Sequence, residues 1–566
     1  MNHREPTMPA CLRFLTAAAL LAAAATSQTT TRETVSSAGV QGSSGVNRPR
    51  LSADGRYATF TSPSPNLVAG DTNGIADVFV HDRQTGQTTR VSVSSAGVQA
   101  NNLCGLSDIS ADGRFVVFEG FASNLVAGDT NGTQDIFCHD RQTAQTTLVS
   151  LGAAGQQALA ACSQCSVSAD GRFVAFQTAD NALVPGNTCV GTDVFLRDRQ
   201  SGTTTWVSVS TTTGQTFTSR QNARISDDGW TVVFDSAATD LVMNDLNGAS
   251  DIFAWSRLTG AIELVSVTSG GAQGNGSSLE AALSADGRFI VFTSGATNFG
   301  SGTGPGNGNN YDVFVRDRLT GQTNCVNINS SGVAATGFAQ GGSISDDGRL
   351  VAFWSDATNL VTGDTNGVYD CFLHDRQNAT TIRVSLSPSG LQARGQCTEP
   401  MVAPGGRFIA FTSPATNLVL PDGNGTSDVF VRDLAATAVA LAYGSACNGT
   451  SPIPAQAEPI GQPFVGNAAF KVGVCNGFPS AFSMLAISDA AASIPVGNCT
   501  VGLGGSVLLL GGTFTDIFGF SSTPLPIPAN PGLVGVTVYG QYLVWDPNGQ
   551  FLAFAQLSQA LAITIG

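Results

Sequence analysis

Histidine is scarce in this chain. The 566 residues hold four, and three of them, His81, His139 and His374, fall at one register of an internal repeat, where other copies carry Arg197, Arg316 and Arg432. Side chains that merely follow the repeat read as strand-end surface residues, not as general bases. No G-x-S-x-G elbow occurs, which excludes a hydrolase built on a nucleophile elbow. Beyond the N-terminal segment no 18 apolar residues run uninterrupted, so no membrane-spanning helix is expected. Basic side chains are outnumbered, 26 Lys and Arg against 41 Asp and Glu, for a net charge of −15. That sign argues against nucleic acid or anionic lipid as a partner. The one C-x-x-C, Cys162 to Cys165, has no second copy, and a four-cysteine metal site needs two.

What the chain does have is a block that returns seven times. A Phe recurs at Phe60, Phe118, Phe176, Phe234, Phe292, Phe353 and Phe411, in steps of 58, 58, 58, 58, 61 and 58. A second Phe keeps the same phase from Phe79 to Phe430, with an Asp two residues before it from Asp77 to Asp428. Each block reads as four strands. The first ends at an apolar residue (Leu51, Ile109, Val167, Ile225, Leu283, Ile344, Val402) before an A-D-G-R or D-D-G-R turn. There Asp supplies an Asx cap and Gly tolerates positive φ. The second is typified by Arg114 to Phe118, the third by Asp77 to Val80, and the fourth by Thr88 to Val93. A run apolar on both faces suits a sheet sandwiched between neighbours. Seven four-stranded units of this length spell an all-β chain with a seven-bladed β-propeller. The segment Thr29 to Gln41, TTTRETVSSAGVQ, parallels TGQTTRVSVSSAGVQ at Thr85 to Gln99. It is a fourth strand with no blade before it, so it is expected to complete blade seven and remove the open sheet edge.

The pairing of LSADGRYATFTS with DVFVHDR, recurring over Thr29 to Asp433, resembles the TolB-type propeller repeats of bacterial envelope proteins. The resemblance implies the fold. It also implies a choice of roles, since such propellers include scaffolds for protein partners and related ones are joined to peptidase or polysaccharide-lyase activity. This chain departs from the simplest repeat by a longer loop between strands two and three, NLVAGDTNGIAD.

Arg13, the apolar run Phe14 to Ala25 and the small residues Ala25-Thr26-Ser27 read as a signal peptide over residues 1–27, with Met8 as an alternative start, so the protein is expected to be secreted or periplasmic. An oxidising compartment permits disulfides among the eleven cysteines that follow, and Cys162 or Cys165 is expected to reach Cys189. The propeller is assigned to residues 28–436. Residues 437–566 are rich in Gly, Pro, Ala and Leu, with short apolar runs split by Pro and Gly, and read as a small β-sandwich domain. Its YGSACNG opening and LPIPANPGLVGVTVYGQYLVWDP segment resemble a C-terminal module of secreted planctomycete-type bacterial proteins.

Two sets of residues carry chemistry. The long loop holds D-x-N-G-x-x-D in five blades: Asp71, Asn73, Asp77; Asp129, Asn131, Asp135; Asp245, Asn247, Asp251; Asp364, Asn366, Asp370; Asp422, Asn424, Asp428. Carboxylate and amide oxygens at alternate positions around a Gly turn suit a hard cation, which makes calcium the candidate cofactor. The other reading is a structural turn whose last Asp caps a strand. The second set breaks the symmetry: Arg48, Arg50, Asp108, Arg224, Glu280 and Glu399 lie four or six residues before the turn, on the innermost strand. They read either as an ion-paired channel lining or as a polar pocket for a glycan or peptide, with Glu280 and Glu399 as acid and base of a hydrolase. The expected function is a secreted, non-catalytic scaffold or binding module with calcium as its candidate stabiliser. The alternative is a carbohydrate-active hydrolase or lyase at the channel mouth.

Overall fold

The computed structural model describes residues 29–434 apart from 188–190, 211–219, 244 and 300–310, and beyond them only the backbone of further strands. The chain divides into a unit Thr29–Asp433 and a second unit formed by the remainder. The segment read as a signal peptide lies outside the described residues.

The first unit is seven four-stranded antiparallel sheets, with no helix among the described residues. Blade one is Asn47–Leu51, Tyr57–Ser62, Asp77–Asp82 and Gln87–Arg90, in that order from the channel outward. Blade seven takes its outer strand from the other end of the chain: Thr29–Arg32 pairs with Asp428–Asp433, Thr29 opposite Asp433 and Arg32 opposite Phe430. The two repeating Phe residues face each other in register, Phe60 opposite Phe79. They stack at ring-centroid distances of 5.7–6.0 Å in all seven blades. Each buries on the order of 150–250 Å², so the pair is the centre of every blade's core.

Strand boundaries differ from the sequence reading for one local reason. The outer strand stops at Arg90, not Val93, because Ser92 turns inward: its hydroxyl donates to Asp77 Oδ1 at 2.5 Å and accepts the Val78 amide at 3.1 Å. The third strand in turn runs on to Asp82, whose carboxylate accepts a fork from Arg56, Nε at 2.9 Å and Nη2 at 2.7 Å. This pair recurs in every blade except four, where Trp230 and Ser256 replace both partners. The turn glycine does two jobs. Gly55 has φ +67°, and a Cβ there would lie 2.1 Å from a ring carbon of Phe408 in the preceding blade. The gap is closed further by Arg83, whose guanidinium stacks over the same ring at 4.5 Å.

The three histidines are buried, not at the surface as their strand-end position suggested, with 3–6% exposure. Each ring Nδ1 bonds the threonine opposite it on the outer strand at 2.9 Å, as His81 does with Thr88, and that threonine donates to a carbonyl of the preceding blade. They are spacers between blades, and burial holds their pKa down.

The second unit carries its strands in two antiparallel sheets, one six-stranded and one three-stranded (Gln456–Ile460, Lys471–Cys475, Ser521–Pro524).

Candidate functional site: the central channel

All seven inner strands slip register once, between pairs such as Asn47/Arg50 and Leu279/Ala282. The extra residue is a β-bulge, a device that re-aims a side chain and leaves its own backbone unpaired. In six blades the bulged residue adopts the left-handed conformation: Arg48 (φ 50°), Gln164 (56°), Asn222 (54°), Glu280 (55°), Gly341 (69°) and Glu399 (54°). Five of these are not glycine, each at a cost of roughly 1–2 kcal/mol. Blade two has the bulge, at Leu106, without the left-handed turn.

In four blades the amide freed by the bulge is taken up by a side chain of the preceding blade. Gln164 N donates to Glu119 Oε2 at 3.1 Å, Gly341 N to Thr293 Oγ1 at 3.2 Å, and Arg48 N to Glu399 Oε2 at 2.8 Å. Asp235 accepts the Glu280 amide and the Asn222 side chain, the latter at 2.8 Å. Burial pushes the Asp235 carboxyl up to about 6.

The bulged residues surround a cavity of about 290 Å³ along the channel. Arg48, Arg50, Asp108, Arg224, Glu280 and Glu399 all line it. Arg48 Nε is 3.9 Å from Glu399 and Arg50 Nε is 3.9 Å from Asp108, both long for ion pairs. Asp108 is held instead by backbone, accepting the amides of Ile109 and Val167 at 3.0 Å each. Arg224 has no carboxylate within ion-pair distance among the described residues; its one hydrogen bond is to Cys165 O at 3.5 Å. Burial, with Arg50 adding repulsion, lowers its pKa to about 10. Glu280 is raised by burial, against a hydrogen bond donated by Gln340 Nε2 at 2.9 Å.

At the turn end the channel is ringed by a collar of main chain. Ala53, Ala111, Ala169, Asp227, Ala285, Asp346 and Pro404 occupy one register, and amide-to-carbonyl bonds of 2.9–3.2 Å link each blade to the next around the whole ring. Two of the seven carry carboxyls, and Asp227 and Asp346 hydrogen-bond to each other. Burial and the facing Asp346 push Asp227 up to about 7, and burial also raises Asp346. One proton between two carboxyls is the expected result of holding like charges together.

Sequence reasoning missed Gln164, Asn222, Asp227 and Asp346. The two aspartates had a signal, since D-D-G replaces A-D-G in blades four and six. Trp354 was missed too; it stands where other blades carry Thr61, Glu119, Gln177, Asp235, Thr293 and Thr412.

In four of the D-x-N-G loops the first and last carboxylates are bridged by one glutamine amide. Gln99 Nε2 donates to Asp71 at 2.8 Å and Asp77 at 3.1 Å; Gln157, Gln273 and Gln41 do the same at Asp129/Asp135, Asp245/Asp251 and Asp422/Asp428. In blade six Arg383 lies 3.7 Å from Asp364 and 3.5 Å from Asp370. The asparagines fasten the turn: Asn73 Oδ1 accepts the Ile75 amide at 3.1 Å and Nδ2 donates to Ala100 O at 3.0 Å, and Asn131, Asn247, Asn366 and Asn424 repeat both bonds. Asp71 Oδ2, Asp245 Oδ2 and Asp364 Oδ1 are buried without a hydrogen-bond partner.

Cys162 and Cys165 are free, buried thiols, as are Cys104, Cys138, Cys371 and Cys397. Cys189, the expected partner, lies outside the described residues.

No family model matches the chain, and no curated protein matches it. Solved structures similar to it include TolB from Acinetobacter baumannii, at 14% identity over 60% of this chain and 63% of that one with a TM-score of 0.33. An oligogalacturonate lyase from Vibrio parahaemolyticus aligns at 12% identity over 69% and 90% (TM-score 0.41), and an acylaminoacyl peptidase from Pyrococcus horikoshii at 11% over 75% and 59% (TM-score 0.41). The chain thus spans less than two thirds of the TolB and peptidase chains it aligns with. At these values none of the three bears on what the channel holds.

Proposed function

We propose that this chain is an exported, non-catalytic binding module whose ligand seats in the central channel. The observation that carries this is the ring of bulged residues. A scaffold alone needs seven equal inner strands, whereas this ring holds Arg48, Gln164, Asn222, Glu280 and Glu399 in a costly backbone conformation and aims them at one cavity. The test is a thermal-shift screen of the full chain against glycans and against acidic and basic peptides. A ligand at 100 times its Kd adds about 2.7 kcal/mol. One ligand class should raise Tm, and the rise should vanish in Arg224→Gln and Glu280→Gln. A ligand that stabilises both variants as well as the parent overturns the channel as its seat.

A hydrolase is the second reading. It is favoured by Asp227 and Asp346, which put a protonated and an ionised carboxyl together, the pattern of an acid and base set apart by environment. Its test is hydrolysis of a glycan that the screen finds, lost in Asp227→Asn with binding retained.

Calcium at the D-x-N-G loops is favoured by the orphaned oxygens of Asp71, Asp245 and Asp364, acceptors that a hard cation would satisfy. At Asp71 and Asp245 the bridging glutamine would then have to turn its amide and present Oε1, and at Asp364 Arg383 would have to withdraw. Calorimetric calcium titration of chelator-treated protein decides this: heat with a raised Tm makes the loops metal sites, and neither leaves them as glutamine-bridged turns.

A further inference from the structure

We infer that the channel mouth at blade six is a sugar-binding subsite, with the indole of Trp354 as its platform and Glu280 and Gln340 as its hydrogen-bonding partners. This rests on the channel reading above and names the ligand class.

At blade six the ring of bulged residues is interrupted. Its member is Gly341, and a Cβ there would lie 2.8 Å from Trp354 Nε1 and 3.1 Å from Cδ1. The indole edge therefore takes the space that a side chain fills in the neighbouring blades, between Glu280 and Glu399. Trp354 is only part-buried, and its N–H makes no hydrogen bond among the described residues. Tyr369 packs against it edge-on at 4.6 Å and Phe338 at 5.4 Å, with Tyr311 a further 6.0 Å from Phe338. Among the described residues the other blades carry the Phe pair alone, except blade five, where Phe299 packs edge-on to both of its rings. Four aromatics concentrated in one sector are not needed by the repeat, whose core is already complete with the Phe353 and Phe372 pair.

The chemistry beside the indole selects a polyhydroxylated ring. A sugar has an apolar C–H face that covers an aromatic surface and a rim of hydroxyls that each donate and accept. Glu280 accepts, Gln340 and the indole N–H donate, and Gln340 already ties Glu280 in place at 2.9 Å, so the partners are held before the ligand arrives. Small-molecule sites combine an apolar or aromatic surface with a few convergent polar groups in this way. Glu280 and Gly341 line the channel cavity of about 290 Å³, and Gln340 and Trp354 adjoin those two residues.

The experiment is calorimetry of the full chain with cellobiose, maltose and N,N′-diacetylchitobiose, followed by a neutral-glycan array. At least one is expected to bind, about tenfold more weakly to Trp354→Ala and to Glu280→Gln, while Trp354→Phe, which keeps the ring, stays within about threefold. Tm of each variant identifies any that fails to fold, and Trp354→Phe keeps the test valid if Trp354→Ala does. Binding that survives Trp354→Ala but is lost in Arg224→Gln overturns the subsite and leaves the channel reading standing. Failure of every neutral glycan, with a peptide stabilising the protein in the thermal-shift screen, overturns the sugar class alone.

Discussion

Asp227 of blade four and Asp346 of blade six hydrogen-bond to each other at the turn end of the channel, with Ala285 of blade five between them in the backbone collar. The groups facing Asp227 are Asp346, Asp108 and Asp228, and Asp347 faces Asp346; each of these influences opposes ionisation. Asp227 therefore keeps its proton up to about pH 7 in the folded chain, while an unfolded aspartate loses it near 3.8. Between those values the folded state binds more protons, so stability falls as pH rises.

Asp227→Asn removes this dependence. Its Tm should exceed that of the parent at pH 8 and match it at pH 4, read by calorimetry at both values. A parent whose Tm is flat from pH 5 to 8 would show that the carboxyls do not share a proton.

The six Arg–Asp forks act in the opposite sense. Arg56, Arg114, Arg172 and Arg288 hold Asp82, Asp140, Asp198 and Asp317 below the usual carboxylate range. Their stabilisation is complete above about pH 4 and is lost as pH falls below it. Exposure of the arginines keeps each pair's contribution small, because solvent screens it. Tm should drop below pH 4, and Asp82→Asn, which keeps one oxygen for the Gln84 and Thr85 amides but loses the charge and the second acceptor of the fork, should lower Tm at pH 7 but barely at pH 3.

Two glycines with equal φ separate conformation from contact. Gly55 and Gly74 both have φ +67°, but a Cβ on Gly74 meets nothing within 4 Å. Gly74→Ala should cost about 1 kcal/mol, the backbone penalty alone. Gly55→Ala also drives Phe408 out of place and should cost about 3 kcal/mol or more by denaturant unfolding.

Ring closure can be removed at one end. Starting the chain at Glu33 deletes Thr29–Arg32, exposes the Asp428–Asp433 edge and strips Thr30 Oγ1 from Arg432, which donates to it at 3.0 Å. The expected outcome is a lower Tm and concentration-dependent association in light scattering. An unchanged, monomeric product would mean that blade seven does not need its borrowed strand.

The propeller was written in the chain because a blade is a local object: Phe60 and Phe79, Gly55, and the Arg56 and Asp82 pair lie within 30 residues of one another and repeat, so spacing alone exposes them. The borrowed strand was legible for the same reason, since Thr29 to Gln41 copies a fourth strand. The inward direction of Arg48, Glu280 and Glu399 followed from register, but the bulge that re-aims them did not. A bulge is a register slip against a neighbouring strand and leaves no mark in a single strand's residues. Burial of His81, His139 and His374 came from the preceding blade packing over a strand end. The meeting of Asp227 with Asp346 depends on curling seven sheets around one axis, whereas Trp354 meets Gly341 across one pair of adjacent strands. Sequence order determined the blades and their closure; only the tertiary structure decided which of the residues that break the repeat face one another, because a channel is made by elements far apart in the chain.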